Sequence, residues 1–129
     1  MSAIAIRNID HVVVRTADMD KALSFYCNVL GCHEERRVER IGLVQLRAGA
    51  CMIDLLDAKD SPPPKTNGNM DHFAIRLETF DETAIRDHLA SHGVGMGEVK
   101  SRYGAEGDGP SIYIEDPDGN TVELKGPPY

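Results

Sequence analysis

The sequence is short of basic residues, of cysteine and of long apolar runs, and each shortage excludes a class of function. Its 14 Lys and Arg against 21 Asp and Glu give a formal charge of −7. We therefore expect no nucleic-acid partner, because phosphate binding needs a clustered basic surface. Three cysteines without CxxC spacing argue against a disulfide framework or a thiolate zinc site and favour a reducing compartment. No apolar run could span a bilayer and no signal peptide is visible, so a small cytoplasmic protein with no membrane contact is predicted.

What the sequence does contain is an internal repeat. The segment "IDHVVVRTADMDKALSFYCNVLG" (9–31) aligns with "MDHFAIRLETFDETAIRDHLASHG" (70–93). The alignment places His11 on His72. Further along, "MIDLL" matches "TVELK", so that Asp54 falls on Glu123. The chain is therefore predicted to use one structural unit twice.

The repeat predicts one domain, 1–129, made of two modules at about 8–58 and 70–125. The Pro-, Gly- and Asn-rich segment 59–69 between them has a composition typical of a linker.

Each module is predicted to contain one strand, one helix and three further strands, an α+β arrangement written βαβββ. The first strand of each copy alternates or is β-branched, and helical spacing of apolar residues follows. Gly31 and Gly93 are placed to end the helices, and Thr79 with Glu82 has capping-box spacing. The later strand candidates are 33–38, 42–47, 51–56, 95–101, 111–116 and 120–125.

Strand alternation puts the polar residues of the repeat on one face. Successive side chains on a strand point to opposite sides, so His11 lies on one face while Val12 and Val14 lie on the other. The same alternation separates Asp54 and Glu123 from their apolar neighbours. We expect the apolar face to pack on the helices and the polar face to line a concave sheet.

The four repeated polar residues are the ligand types of a divalent metal. Taken singly, a strand histidine or a carboxylate near a turn is more often structural or solvated. Two imidazoles with two carboxylates, however, are a set that binds first-row metals and leaves positions open for substrate. The sequence therefore predicts a metal site of His11, His72, Glu123 and Asp54. Asp54 is one methylene shorter than glutamate, which leaves open direct ligation, ligation through water, and a site of the other three residues alone.

Several motifs give the chain a family resemblance. "IDHVVV", "ALSFYCNVLG", "MDHFAI" and "SIYIEDPDGNTVEL" make residues 8 to 125 resemble the vicinal oxygen chelate superfamily of glyoxalases, bleomycin-resistance proteins and extradiol dioxygenases. The resemblance implies paired βαβββ modules whose mixed sheets curve into a cup around a metal. Its metal positions fall on His11, His72 and Glu123, with Asp54 where lactoylglutathione lyases carry a glutamate. The implied cofactor is Zn, Ni, Mn, Co or Fe, with glutathione a possible co-substrate.

The activity implied by the resemblance is that of a metal-dependent glyoxalase-like enzyme of the lyase or isomerase class. Such an enzyme chelates two adjacent oxygens of a small molecule and stabilises an enolate or oxyanion. Glu123 or Asp54 would then be the catalytic residue that moves a proton. The aspartate at position 54 departs from the lactoylglutathione lyase pattern and puts that particular activity in doubt.

Four other types of family member remain open. A bleomycin-resistance type of protein would sequester a drug without metal, although no Trp and 5% aromatic residues suit it less well. Fosfomycin-type addition of a thiol or water to an epoxide is suggested by "GDGPSIYIEDPDGN", but those proteins continue past the last strand with a basic stretch. Extradiol dioxygenases usually carry two pairs of modules, so a chain with one pair does not favour that activity. A metal-binding member with an unassigned substrate is the remaining possibility.

Further residues are candidates for substrate binding. Arg15 and Arg76 are repeat equivalents on the histidine face, and Tyr113 alternates onto the face of Ser111. The glycine-containing segment 100–110 is predicted to be a mobile loop over the cup. By the resemblance, the cup forms within one chain or across a homodimer.

Overall fold

The computed structural model describes residues 3–59 and 69–129, which form two βαβββ units. The chain divides into the compact units Met1–Pro63 and Pro64–Tyr129. Apart from its two end residues, the predicted linker 59–69 lies outside the described residues. The predicted α+β class is confirmed, because each unit contains one mixed sheet and one main helical segment.

The first unit contains β1 (His11–Thr16), α1 (Met19–Leu23), the π-helical turn Ser24–Val29, β2 (His33–Val38), a 3-10 turn Glu39–Ile41, β3 (Leu43–Ala48) and β4 (Cys51–Asp57). Its four strands form one sheet in the order β1-β4-β3-β2. Strands β1 and β4 are parallel, and the other neighbours are antiparallel. Helix α1 runs directly into the π-helical turn and contacts β4.

The second unit repeats this topology. Its elements are β5 (His72–Arg76), α2 (Glu82–Ser91), β6 (Lys100–Gly104), β7 (Gly107–Glu115) and β8 (Thr121–Lys125). The sheet has the order β5-β8-β7-β6, again with the first pair parallel and the other pairs antiparallel. Within the described residues, no helix is both long enough and apolar enough to cross a bilayer.

Both helices begin at an aspartate. The side chain of Asp18 accepts a hydrogen bond from the backbone N–H of Lys21, and Asp81 does the same for Ala84. Each bond satisfies an amide that has no partner inside the helix. The predicted capping box of Thr79 and Glu82 is therefore wrong, since Asp81 holds the N-cap position.

The helices end as predicted, at Gly31 and Gly93, whose φ angles are 82° and 69°. Glycine adopts this left-handed conformation without the penalty of a Cβ atom. The first helical segment has one residue more than the second between its capping aspartate and its glycine. The π-helical turn Ser24–Val29 accommodates that extra residue, as π-bulges do.

In each unit the apolar face of the sheet is buried, as the strand alternation predicts. Each fully buried aliphatic side chain contributes about 1.5–3 kcal/mol to folding. The buried sheet residues are Val14, Val44, Leu46, Ile53 and Leu55 in the first unit and Ile112, Ile114, Val122 and Leu124 in the second. The helical segments add Ala22, Phe25, Tyr26, Val29 and Leu89.

Segment 100–110 is a β-hairpin, which corrects the prediction of a mobile loop. Strand β6 pairs with β7 from Lys100 opposite Ser111 to Gly104 opposite Gly107. Strand β6 also begins five residues later than predicted, and β7 begins four residues earlier. The chain reverses at Ala105 and Glu106, and Gly107, the first residue of β7, has a φ of 110°.

The other two glycines of this hairpin make room for a lysine. A Cβ atom at Gly104 would lie 3.2 Å from Cε of Lys125, and one at Gly109 would lie 2.8 Å from its Nζ. The side chain of Lys125 is buried and donates to the carbonyl of Gly107. Glycine content here reflects packing across the sheet and does not indicate a loop.

Gly109→Ala is expected to destabilise the protein by about 1–3 kcal/mol, as overpacking generally does. The new Cβ atom would lie 2.6 Å from the backbone oxygen of Pro127, which cannot move without shifting the chain. Urea unfolding followed by circular dichroism measures the change. Gly95→Ala is the matched control, because no atom lies within 4 Å of its Cβ position. Equal unfolding midpoints for the two variants would contradict the prediction.

Candidate functional site

The parallel strand pair of each unit fixes the position of one histidine relative to one carboxylate. In the first unit His11 lies opposite Met52, and Asp54 lies opposite Val13. Because side chains alternate along a strand, the histidine and the aspartate share one face of the sheet. They are diagonal neighbours across the β1–β4 pair.

The second unit repeats the same diagonal. His72 lies opposite Thr121, and Glu123 lies opposite Ala74 on the neighbouring strand. The carboxylate again sits two residues further along than the histidine, on the same face. The sequence repeat of a histidine and an acid is therefore a repeat of position within the sheet.

His72 and Glu123 are in direct contact. Nε2 of His72 lies 3.2 Å from Oε1 of Glu123, a carboxylate that is only 6% exposed. On the other side of the ring, Nδ1 of His72 lies 2.7 Å from Oδ1 of Asp71. With its proton on Nδ1, the imidazole turns the lone pair of Nε2 toward Glu123. The two atoms, one nitrogen and one carboxylate oxygen, then face each other as acceptors.

His11 has the same local support but is more exposed. Its Nδ1 lies 2.8 Å from Oδ2 of Asp10, and its side chain is 48% exposed. The hydrogen bond to Asp10 raises the pKa of His11, and the negative charge of Asp54 adds to this effect. The residue that precedes each histidine is thus an aspartate that holds Nδ1 and leaves Nε2 for another partner.

Asp54 is buried and keeps one oxygen without a hydrogen bond. The residue is 4% exposed, and its Oδ2 accepts from Nε2 of Gln45 at 3.1 Å. Within the described part of the chain, its Oδ1 has no hydrogen-bond partner. Leaving a buried polar atom unsatisfied costs about 1–3 kcal/mol, more for a charged group. A bound cation is one explanation of such an atom.

No three His, Cys, Asp or Glu side chains within residues 3–59 and 69–129 lie together in a way that could hold a metal ion. Each unit by itself supplies one histidine and one buried carboxylate. Neutral imidazole and ionised carboxylate are suitable donors for a divalent first-row metal. In donor chemistry, and in the unsatisfied oxygen of Asp54, the residues fit such an ion.

Two of the three predicted substrate-binding residues have identified neighbours in the second unit. Tyr113 lies opposite Glu123 on β7, with its ring centroid 5.2 Å from that of His72. Arg76 is engaged by Glu106, with Nε 2.8 Å from Oε1, and so resembles a structural ion pair. Arg15 lies opposite Leu56 on the histidine face of the first sheet. Substrate binding by these residues stays a prediction.

Arg102 and Gln45 lie beside the candidate residues but were not identified from the sequence. The guanidinium of Arg102 lies 4.2 Å from the ring centroid of Tyr113, and its Nη1 donates to the carbonyl and hydroxyl of Ser111. Gln45 lies directly opposite Asp54 on β3. Correct strand assignment of 100–104 would have placed Arg102 on the face of Tyr113, and strand pairing would have indicated Gln45.

The three cysteines are free thiols. Cys32 is buried next to the helix end, and burial raises its pKa to about 11, with a smaller contribution from Cys27. Burial also raises the pKa of Cys27. The thiolate is the reactive form of cysteine, so both residues are protected at neutral pH.

Cys32 is therefore expected to be alkylated by iodoacetamide at pH 8 at least about 100-fold more slowly in the folded protein than in urea. A pKa raised to about 11 lowers the thiolate fraction at this pH, and burial hinders access. Peptide mapping by mass spectrometry gives the labelling rate of each cysteine separately. The partly exposed Cys51 serves as the internal reference. Similar rates for Cys32 in folded and unfolded protein would contradict the expectation.

Comparison with known proteins adds the family context. The sequence profile of the Glyoxalase/Bleomycin resistance protein/Dioxygenase superfamily matches residues 8–124. A catechol-2,3-dioxygenase of Bacillus subtilis is 28% identical over 123 residues, covering 91% of this chain and 40% of the relative. Metallothiol transferase FosB of Bacillus licheniformis is 27% identical over 119 residues, covering 92% and 75%.

Among solved structures, virulence protein STM3117 from Salmonella typhimurium superposes with a TM-score of 0.74 at 27% identity, covering 95% of this chain and 98% of that protein. The chain thus spans less than half of the dioxygenase but most of the other two proteins.

Proposed function

Because the chain belongs to the Glyoxalase/Bleomycin resistance protein/Dioxygenase superfamily, whose members are generally metal-dependent, we propose that it is a divalent-metal-dependent, glyoxalase-like enzyme of the lyase or isomerase class. The supporting observation is the buried carboxylate of Glu123 facing Nε2 of His72 at 3.2 Å. In the first unit His11 and the buried Asp54 occupy the equivalent strand positions. Its substrate is a small molecule with two adjacent oxygens.

The proposed ligands are His11, His72, Glu123 and Asp54. Nitrogen and oxygen donors without thiolate suit Zn, Ni, Mn, Co or Fe. The proposal requires the pair from a first unit to meet the pair from a second unit, either in one chain or between the chains of a homodimer. Asp10 and Asp71 support it by engaging Nδ1 of each histidine, so that Nε2 is the nitrogen turned toward the proposed site.

The chemistry divides between the metal and the residues of the chain. When bound, the metal supplies a Lewis acid that stabilises negative charge developing on two adjacent substrate oxygens. Asp54, held through Oδ2 by Gln45, keeps Oδ1 to accept or return a proton. Glu123 is the second carboxylate that we propose for this proton transfer. Tyr113 presents its ring beside His72 and its hydroxyl for a hydrogen bond to substrate.

A second candidate is thiol or water addition to an epoxide. The similarity to metallothiol transferase FosB supports it, because the match covers 92% of this chain and 75% of that protein. Glutathione or another thiol would then be the co-substrate. Both candidates use the same proposed ligands and differ in the substrate they convert.

The purified protein is expected to hold about one divalent ion per chain and His72→Ala to lose it, since a site missing one of its few ligands binds weakly. Metal content is measured by inductively coupled plasma mass spectrometry, and folding by circular dichroism. His88→Ala is the matched control. His88 lies on α2 and its ring is 4.8 Å from that of His92, so this change removes an imidazole outside the proposed ligand set.

Metal that disappears with His88→Ala but remains with His72→Ala would contradict the proposed site. A protein that binds no metal, and binds a bleomycin-type drug equally well in the presence of chelator, would instead be a sequestering protein.

Glu123→Gln is expected to lower kcat at least about 100-fold, because the amide can neither balance a cation nor move a proton. The assay screens glutathione adducts of α-oxoaldehydes, and thiol or water addition to epoxides, with and without chelator. Glu115→Gln, an exposed change at the end of the neighbouring strand β7, is the control and should leave kcat unchanged. Turnover of none of these substrates by a metal-loaded protein would favour a member with a different small-molecule substrate.

A further inference from the structure

Three side chains form a hydrogen-bonded row across strands β2, β3 and β4. Arg36 lies opposite Gln45, and Gln45 lies opposite Asp54. Nη1 of Arg36 donates to Oε1 of Gln45 at 3.0 Å, and Nε2 of Gln45 donates to Oδ2 of Asp54 at 3.1 Å. The row connects an exposed guanidinium to a buried carboxylate.

The row fixes the orientation of the Gln45 amide. A guanidinium can only donate hydrogen bonds and an ionised carboxylate can only accept them. Oε1 of Gln45 must therefore face Arg36, and Nε2 must face Asp54. The positive charge of Arg36 also polarises the amide so that its donor end is strengthened toward the carboxylate.

The second unit holds its acid differently. The residue opposite Glu123 is Tyr113, which makes no hydrogen bond to Glu123 among the described residues and packs against His72. Glu123 is the longer side chain, and its Oε1 lies at 3.2 Å from Nε2 of that histidine. Equivalent positions of the repeat thus carry one acid that is hydrogen-bonded to an amide and one acid that faces a histidine.

We infer that Gln45, oriented by Arg36, is a positioning residue that restricts Asp54 to the use of a single oxygen. With Oδ2 engaged by the amide, only Oδ1 is available for a metal ion or a proton. Chelation through both oxygens would break the Gln45 bond and leave a partly buried amide donor without its acceptor. This inference rests on the proposed metal function and specifies how its fourth ligand acts.

The first test is made on metal-free protein. The side-chain amide of Gln45 should give a nitrogen–proton NMR signal with protons that exchange slowly with water, because both ends of the amide are bonded. Asp54→Ala should speed that exchange at least about 10-fold, in line with the loss of about 1.4 kcal/mol of hydrogen bonding. An exchange rate that does not respond to Asp54→Ala overturns the row.

The second test measures Co²⁺ binding by competition with a chromogenic chelator and by visible absorption. Gln45→Met keeps the shape of the side chain and removes the amide. It is expected to weaken Co²⁺ binding about 10–100-fold, as loss of a hydrogen bond to a ligand commonly does, and to change the absorption spectrum. Arg36→Gln should give a smaller change of the same sign, and it serves if Gln45→Met does not fold. Arg37→Gln is the control, because Arg37 pairs with Glu34 outside the row.

The outcomes separate this inference from the function on which it rests. Co²⁺ binding that is lost in His72→Ala but identical in wild type, Gln45→Met and Arg36→Gln overturns the role of Gln45 and leaves the metal site standing. A wild-type protein that binds no Co²⁺ overturns both. Weaker binding in the row variants with the control unchanged supports the inference.

Discussion

The register of the parallel strand pair is the constraint on which the candidate site depends. In each sheet a strand that starts with histidine lies beside a strand on which an acid sits two residues further along. Side chains alternate with a period of two, so a slip of one residue would move Asp54 or Glu123 to the face that packs on the helices. The register is in turn held by the apolar residues on that face, such as Ile53 and Val122, which are buried. The packing of the core therefore also determines the positions of the candidate site residues.

Burial of the two carboxylates is hard to explain by stability. Asp54 and Glu123 are 4% and 6% exposed, and a buried charge is costly unless it is paired and hydrogen-bonded. Replacing such groups by apolar residues of similar volume is often neutral or stabilising. The chain has both acids on the same diagonal from a histidine in both units, and among the described residues one oxygen of Asp54 has no hydrogen-bond partner. Sites that break a folding rule in this way are where function is expected.

Much of the fold could be predicted from the sequence because its signals are local. The repeat, the strand alternation and the terminating glycines give the βαβββ order and the core face, and the family suggested by the motifs is confirmed by the profile match. The errors have non-local causes. The glycines of 100–110 predict a loop, whereas in the structure two of them accommodate Lys125, which lies in another strand of the sheet. The sequence does not indicate Gln45 and Arg102, because neighbours across strands depend on the pairing register of those strands.

The two units differ in the side chain that lies opposite each carboxylate. One methylene separates Asp54 from Glu123, and the surroundings differ accordingly: the shorter acid bonds to the amide of Gln45, whereas the longer acid reaches His72. The second unit also places Tyr113 and the guanidinium of Arg102 beside its pair, and the first unit has a glutamine at the position of that tyrosine. Duplication supplied two equivalent positions, and the side chain opposite each acid made them chemically distinct. A site that needs one firmly held ligand and one carboxylate with a free oxygen can arise from a repeat by substitutions at these two pairs of positions.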